Sequence, residues 1–214
     1  MEFLRQALLA IHIAAGFTAV IASCAAALSK VLRMTHRAHL IAGRTFAVAM
    51  LGIFLTSLPL SILGGSLLLL LVAILSGYLA FAGWREAVRP RAGGRGLDRA
   101  AAILMLLAGL VMCGWGAMAL LKGNAGGIVL VAFGSIGLSL AASDLRRIGR
   151  PSDRPTRVAN HMIRMMGATI AVLTASLVVN VRLEPGWLVW IAPTLVLTPF
   201  IAVWARRIRS GRMG

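Results

Sequence analysis

Residues 66–84 read SLLLLLVAILSGYLAFAGW: nineteen positions without a charge, closed by Arg85. About 20 apolar residues in a row are what an α-helix needs to cross the hydrocarbon of a bilayer. In lipid every backbone N–H and C=O must find its partner inside the segment, so a stretch like this is a helix and not an open strand.

Outward from that stretch the pattern repeats. Residues 6–29, 39–63, 99–121, 126–143, 158–180 and 186–205 have the same length and character. They are separated by Lys30 to Arg37, Gly64-Gly65, Arg85 to Arg99, Lys122-Gly123-Asn124, Asp144 to Arg157, and Arg182 to Gly186. The connections at 64–65 and 122–125 are short enough to force antiparallel hairpins, whereas 85–98 and 144–157 are polar surface loops. The expected fold is an all-α, polytopic transmembrane bundle of about seven helices, one domain over residues 1–214.

Composition agrees. Hydrophobic residues make up 59% of the 214 and charged residues 13%, about half the charged share of an ordinary soluble domain. Lys and Arg number 22 against 6 Asp and Glu. In a soluble chain such an excess would point to nucleic acid. Here the basic residues sit between apolar runs and form no extended basic arm, so nucleic acid is not an expected partner; the bilayer is, with other membrane subunits as further candidates. Cys24 and Cys113 lie inside apolar stretches with no metal-type spacing and read as small hydrophobes.

Charge also orients the chain. With the N-terminus outside and the C-terminus in the cytoplasm, inner loops and tail hold nineteen of the 22 basic residues and the outer side only Arg5, Lys122 and Arg182. That is the asymmetry of a bacterial inner-membrane protein. Ile21-Ala22-Ser23-Cys24 resembles a lipoprotein cleavage box, but cleavage there would invert every later loop against this bias, and the basic segment before it is only Arg5.

Ionisable residues at membrane depth are costly and therefore the first functional candidates. His12 lies toward the outer side, where Asn180 closes the sixth helix. His39, Arg44, Asp144, His161 and Arg164 gather at the inner level. Two imidazoles at one depth on different helices suit the axial positions of a b-type haem, for electron transfer. Gly43 and Gly167 would leave room for the macrocycle, and Arg44 or Arg164 would pair with its propionates. A metal held by His12, His39 and His161 is a second expectation, although His12 is at another depth. His161 and Met165 share a helical face in a pattern that suits Cu(I), and His36 reads as a solvated loop residue. The glycines at 109, 114 and 116, with 127, 134 and 137, read as close-packing positions. No carboxylate lies mid-membrane, which weakens a transporter. The competing class is a non-catalytic accessory or assembly subunit whose polar residues fix helix packing, with both histidines bonded to nearby backbone or to Asp144.

Several motifs occur in a set order: Leu9-Ala10-Ile11-His12-Ile13-Ala14-Ala15-Gly16, His39-Leu40-Ile41-Ala42-Gly43-Arg44, Asp144-Leu145-Arg146-Arg147, then His161-Met162-Ile163-Arg164-Met165-Met166-Gly167-Ala168 with Thr174-Ala175 and Asn180. This resembles a family of bacterial multi-helix membrane proteins known only as a domain of unknown function, over roughly residues 5–182. The resemblance implies an inner-membrane bundle of seven or so helices and draws attention to His12, His39, His161 and Asn180. It implies no activity and no haem.

Overall fold

The computed structural model describes residues 2–88, 95–150 and 152–211. Arg89, Arg91 and Arg212, which count toward the charge bias, lie outside them. Seven helices follow one another: α1 (Glu2–Val31), α2 (His36–Leu63), α3 (Leu67–Val88), α4 (Arg95–Leu121), α5 (Gly127–Arg147), α6 (Arg154–Asn180) and α7 (Trp187–Arg209). All seven are long and apolar enough to cross a membrane. The chain is thus a polytopic transmembrane helix bundle.

Most helices run past their apolar runs at the arginine-rich end of the bundle, because a helix continues until its end groups find water or a cap. Thr35 caps α2 by accepting from the Ala38 N–H, and Asp153 caps α6 by accepting from the Thr156 N–H. At the other end α2 stops at Gly64, and Gly65 takes φ +62°, a left-handed turn that favours glycine. Pro59, Pro193 and Pro199 sit inside helices, which membrane helices tolerate where neighbours satisfy the freed backbone groups.

Neighbouring helices in sequence pair into hairpins, α1 with α2 and α4 with α5, and α7 lies on α6. α3 is the central element, packing against α2, α4, α5 and α6. The run that opened the sequence reading is accordingly the most enclosed, with Leu71, Leu75, Tyr78 and Leu79 all in the core. The outward faces stay apolar: Phe17, Ile21, Val48 and Phe200 are each about 70% exposed, surface that in this fold contacts lipid.

One packing relation positions everything that follows. α1 and α3 each pack against both α2 and α6, yet no Cα of α2 comes within 8 Å of α6. These four helices form a diamond. α2 and α6 face each other across its middle, while α1 and α3 close its sides.

Candidate functional site

His39 projects from α2 and His161 from α6 into that diamond. Their ring centroids are 6.4 Å apart and their planes are inclined at 82°. The sequence reading placed both at one level of the bundle, and the structure brings them together from helices that do not otherwise touch.

Each imidazole is held by a side helix. His39 Nδ1 lies 3.1 Å from the Ala26 carbonyl of α1 and 3.3 Å from Ser29 Oγ, whose own hydroxyl donates to the same carbonyl at 2.7 Å. His161 Nδ1 lies 2.8 Å from the Gly83 carbonyl of α3. A carbonyl oxygen can only accept, so Nδ1 is the donor on both rings and Nε2 is left facing away from these bonds. Gly83 makes the second contact possible. A Cβ there would stand 3.1 Å from Met165 Cγ and 3.2 Å from Arg164 Cβ, tighter than ordinary contact, so glycine eases this close approach of α3 to α6.

Beside the histidines lies a buried ion pair. Arg164, 2% exposed, binds Asp144 of α5, and the Tyr78 hydroxyl of α3 donates to the same carboxylate. Arg164 Nη1 also reaches the Asn160 carbonyl at 3.4 Å. Nearer the chain surface Arg85 and Asp98 join α3 to α4 at 2.8 Å. A small cavity of about 30 Å³, room for a water molecule or two, touches Tyr78, Arg85, Asp98, Asp144 and Arg164.

This geometry changes several expectations. Arg164 is committed to Asp144, so it is not a free partner for a cofactor carboxylate. Arg44 is exposed, and five residues on from His39 it points about 140° away around the helix. Gly167 offers no room, because Leu79 Cδ2 sits 3.2 Å from where its Cβ would be, whereas Gly43 has no atom within 4 Å. His12 is not a third ligand. Its Nδ1 bonds to Thr56 Oγ1 at 2.9 Å, about 21 Å along α1 from Ala26, and Ala19, Phe46 and Met50 fill the core between the two layers. Asn180 does not pair with His12, since its amide donates to the Ser176 carbonyl of its own helix at 2.8 Å. Among the described residues no three His, Cys, Asp or Glu side chains group as a metal site.

Sequence reasoning missed Tyr78 and Thr56; that both histidines bond to nearby backbone is what the accessory-subunit reading expected, though not which carbonyls. Tyr78 left a trace, being the single tyrosine of the chain and lying within an apolar helix. A backbone carbonyl leaves none.

The chain matches no family model, no curated protein and no solved structure.

Proposed function

We propose that this is a membrane electron carrier holding a b-type haem between His39 and His161, in a bacterial inner membrane with the basic end of the bundle toward the cytoplasm. The observation that carries the reading is that both Nδ1–H groups are spent on backbone carbonyls of the flanking helices. That is the outer-shell arrangement of metal-bound histidine: it fixes the tautomer and ring orientation and leaves Nε2 as the ligand atom. Facing helices of a bundle are where such cofactor sites are built.

Distance and ligand count support haem over a bare ion. Two imidazoles on one metal, each at about 2 Å, put their centroids roughly 6 Å apart once the ring radii are added; the rings here are at 6.4 Å. A bare zinc ion wants about four ligands, and no third His, Cys, Asp or Glu joins the two histidines among the described residues. Haem brings four nitrogens of its own and asks the protein only for axial ligands. The site would supply one-electron chemistry. The chain's part is to present two imidazoles oriented by their Nδ1 hydrogen bonds.

A second reading is favoured by the same hydrogen bonds. In a non-catalytic accessory subunit, His39 and His161 would tie α2 to α1 and α6 to α3 and do nothing more. It leaves unexplained why the two rings, on helices whose Cα atoms do not come within 8 Å, lie 6.4 Å apart across the diamond. We also propose, from the order of the His12, His39, Asp144 and His161 motifs, that the chain belongs with the bacterial membrane family it resembles.

Purification from cells supplied with haem precursor, followed by absorption spectroscopy and metal analysis, separates these readings. The haem protein shows a Soret band that His39→Ala and His161→Ala each abolish while the bundle stays folded. A colourless, metal-free protein whose stability alone falls on either substitution is the accessory subunit. Stoichiometric copper without a Soret band would favour the His161–Met165 pair.

A further inference from the structure

At the end of the bundle opposite the arginine-rich one, three helices begin after short turns: α3 behind Gly64-Gly65, α5 behind Lys122-Gly123-Asn124 and α7 behind Glu184-Pro185-Gly186. Their first turns leave a cleft of about 280 Å³ lined by Leu68, Asn124, Val129, Pro185, Trp187 and Trp190. Small-molecule sites begin at about 300 Å³, so the cleft has room for the head of a ligand. The polar cavity beside Asp144, at about 30 Å³, does not.

The walls are apolar and aromatic. Trp187 and Trp190 stand three residues apart on α7 and so share one of its faces. Val129 is buried and Leu68 half-buried, while Leu67 and Leu69 on either side of it are 47% and 49% exposed, so the cleft adjoins surface that contacts lipid. The carbonyls of the lining turns are already engaged. Those of Asn124, Ala125 and Gly126 accept from the Gly127, Ile128 and Val129 N–H groups, and those of Pro185 and Gly186 from Leu188 and Val189. The Asn124 side-chain oxygen accepts from the Gly126 N–H at 2.9 Å. What the lining side chains add is donors, two indole N–H groups and the Asn124 amide nitrogen. Among the described residues no charged side chain lines the cleft; Lys122, Arg182 and Glu184 are close in sequence but not part of it.

These properties select a ligand. Donors call for acceptors on the ligand, and the lack of a cation selects neutral carbonyls over a phosphate or carboxylate, which pair best with a charged donor. Two indoles on one face suit a flat ring that can stack on them, and the lipid beside Leu67 and Leu69 suits an apolar tail. We propose that the cleft binds the head of an isoprenoid quinone, with its ring against the tryptophans, a ring carbonyl accepting from an indole or amide N–H, and its tail leaving into the bilayer. A membrane electron carrier needs a membrane-soluble redox partner, but the proposal is carried by the cleft and does not rest on the histidines.

The test is photolabelling of the full-length protein in lipid nanodiscs with an arylazido ubiquinone, using short-tailed ubiquinone and diacylglycerol as competitors. The expected label is saturable, falls within residues 124–129 and 185–190, and is displaced by ubiquinone but not by the same excess of diacylglycerol, which offers neutral carbonyls without a ring. The double variant Trp187→Leu/Trp190→Leu removes the stacking surface and both indole donors, and should weaken ubiquinone about tenfold or more. Ala125→Leu narrows the cleft from an exposed turn and should weaken it too, with helix packing untouched if the double variant misfolds. Label that is unsaturable or spread along the chain overturns the proposal, as does full affinity in folded Ala125→Leu. Equal displacement by diacylglycerol overturns it in favour of a lipid ester. His39→Ala and His161→Ala should label like wild type, so failure of the haem reading and failure of this one are separate results; loss of labelling in either folded variant would overturn the placement.

Discussion

Glycine closes helix contacts in both halves of this bundle, but only one half sets open glycines beside histidines. Between α4 and α5 it permits contact. A Cβ on Gly127 would meet the Gly116 carbonyl at 2.5 Å, and one on Gly134 would meet Cys113 Sγ at 2.8 Å. In the diamond of α1, α2, α3 and α6, a Cβ on Gly77 would meet the Phe54 ring at 2.5 Å and one on Gly83 would meet Met165 Cγ at 3.1 Å, whereas Gly16 and Gly43, each one turn on from a histidine, have nothing within 4 Å. The hairpin is closed by backbone packing and carries no histidine, carboxylate or basic side chain in its middle. The diamond carries polar groups at two levels, with Ala19, Phe46 and Met50 packed between them. Close packing of small residues is what drives helices together when lipid is as apolar as leucine.

The largest effect is expected at the seam between the halves, where Arg164 of α6 meets Asp144 of α5. Arg164→Met leaves a buried carboxylate without its partner and should cost about 3–5 kcal/mol, read as earlier unfolding in a denaturant titration in micelles. The double variant Arg164→Met/Asp144→Leu should recover much of that loss, because removing both charges spares their desolvation. Equal stability of the single and double variants would show that the pair does not join the halves.

Next comes the glycine contrast itself. Gly127→Ala should destabilise by about 1–3 kcal/mol through overpacking, while Gly43→Ala should shift stability by less than about 0.5 kcal/mol. Gly43→Leu should keep the fold and lower haem retention. Similar losses for Gly127→Ala and Gly43→Ala in thermal unfolding would erase the distinction between the halves.

A smaller effect separates the two polar layers. His12 donates from Nδ1 to Thr56 Oγ1, whose hydroxyl donates in turn to the Gly52 carbonyl at 2.7 Å. It resembles His39 in its fixed tautomer but has no facing imidazole. His12→Leu should therefore leave the absorption spectrum unchanged, and loss of the Soret band would place a ligand in the wrong layer.

The smallest concerns the approach to the site. Hydrogen bonds from Thr156, side chain first and then backbone, hold the Asp153 carboxyl below its ordinary value of 3.8. A carboxyl lowered in the folded state stabilises fully above that value and loses its contribution as pH falls through the folded one. Only below about pH 4 should the first turn of α6 fray. Asp153→Asn should flatten that acid response in hydrogen exchange at residues 154–157.

How much of this was legible in the sequence follows from which forces write themselves into residue types. Membrane crossing demands long apolar runs, so all seven helices were readable, with ends a few residues short because Arg147, Arg154 and Arg209 remain helical beyond the hydrocarbon-like runs. Depth along a helix is a count of residues, so His39 and His161 could be put at one level. Rotation about the axis and the choice of neighbours are not counts. Arg44 therefore looked as well placed as Arg164, and Asn180 looked like a partner for His12 when its amide bonds within its own turn. Gly83 gave no sign that its carbonyl receives His161, since any residue has a carbonyl; what matters is that glycine lets it come close.

The pairing of His39 with His161 on one metal is most directly read by electron paramagnetic resonance of the ferric, haem-loaded protein. Imidazole planes inclined at 82° predict the highly anisotropic low-spin signal of near-perpendicular axial ligands, lost in both His39→Ala and His161→Ala. A high-spin ferric spectrum, the signal of parallel imidazoles, or protein that retains no haem would contradict it.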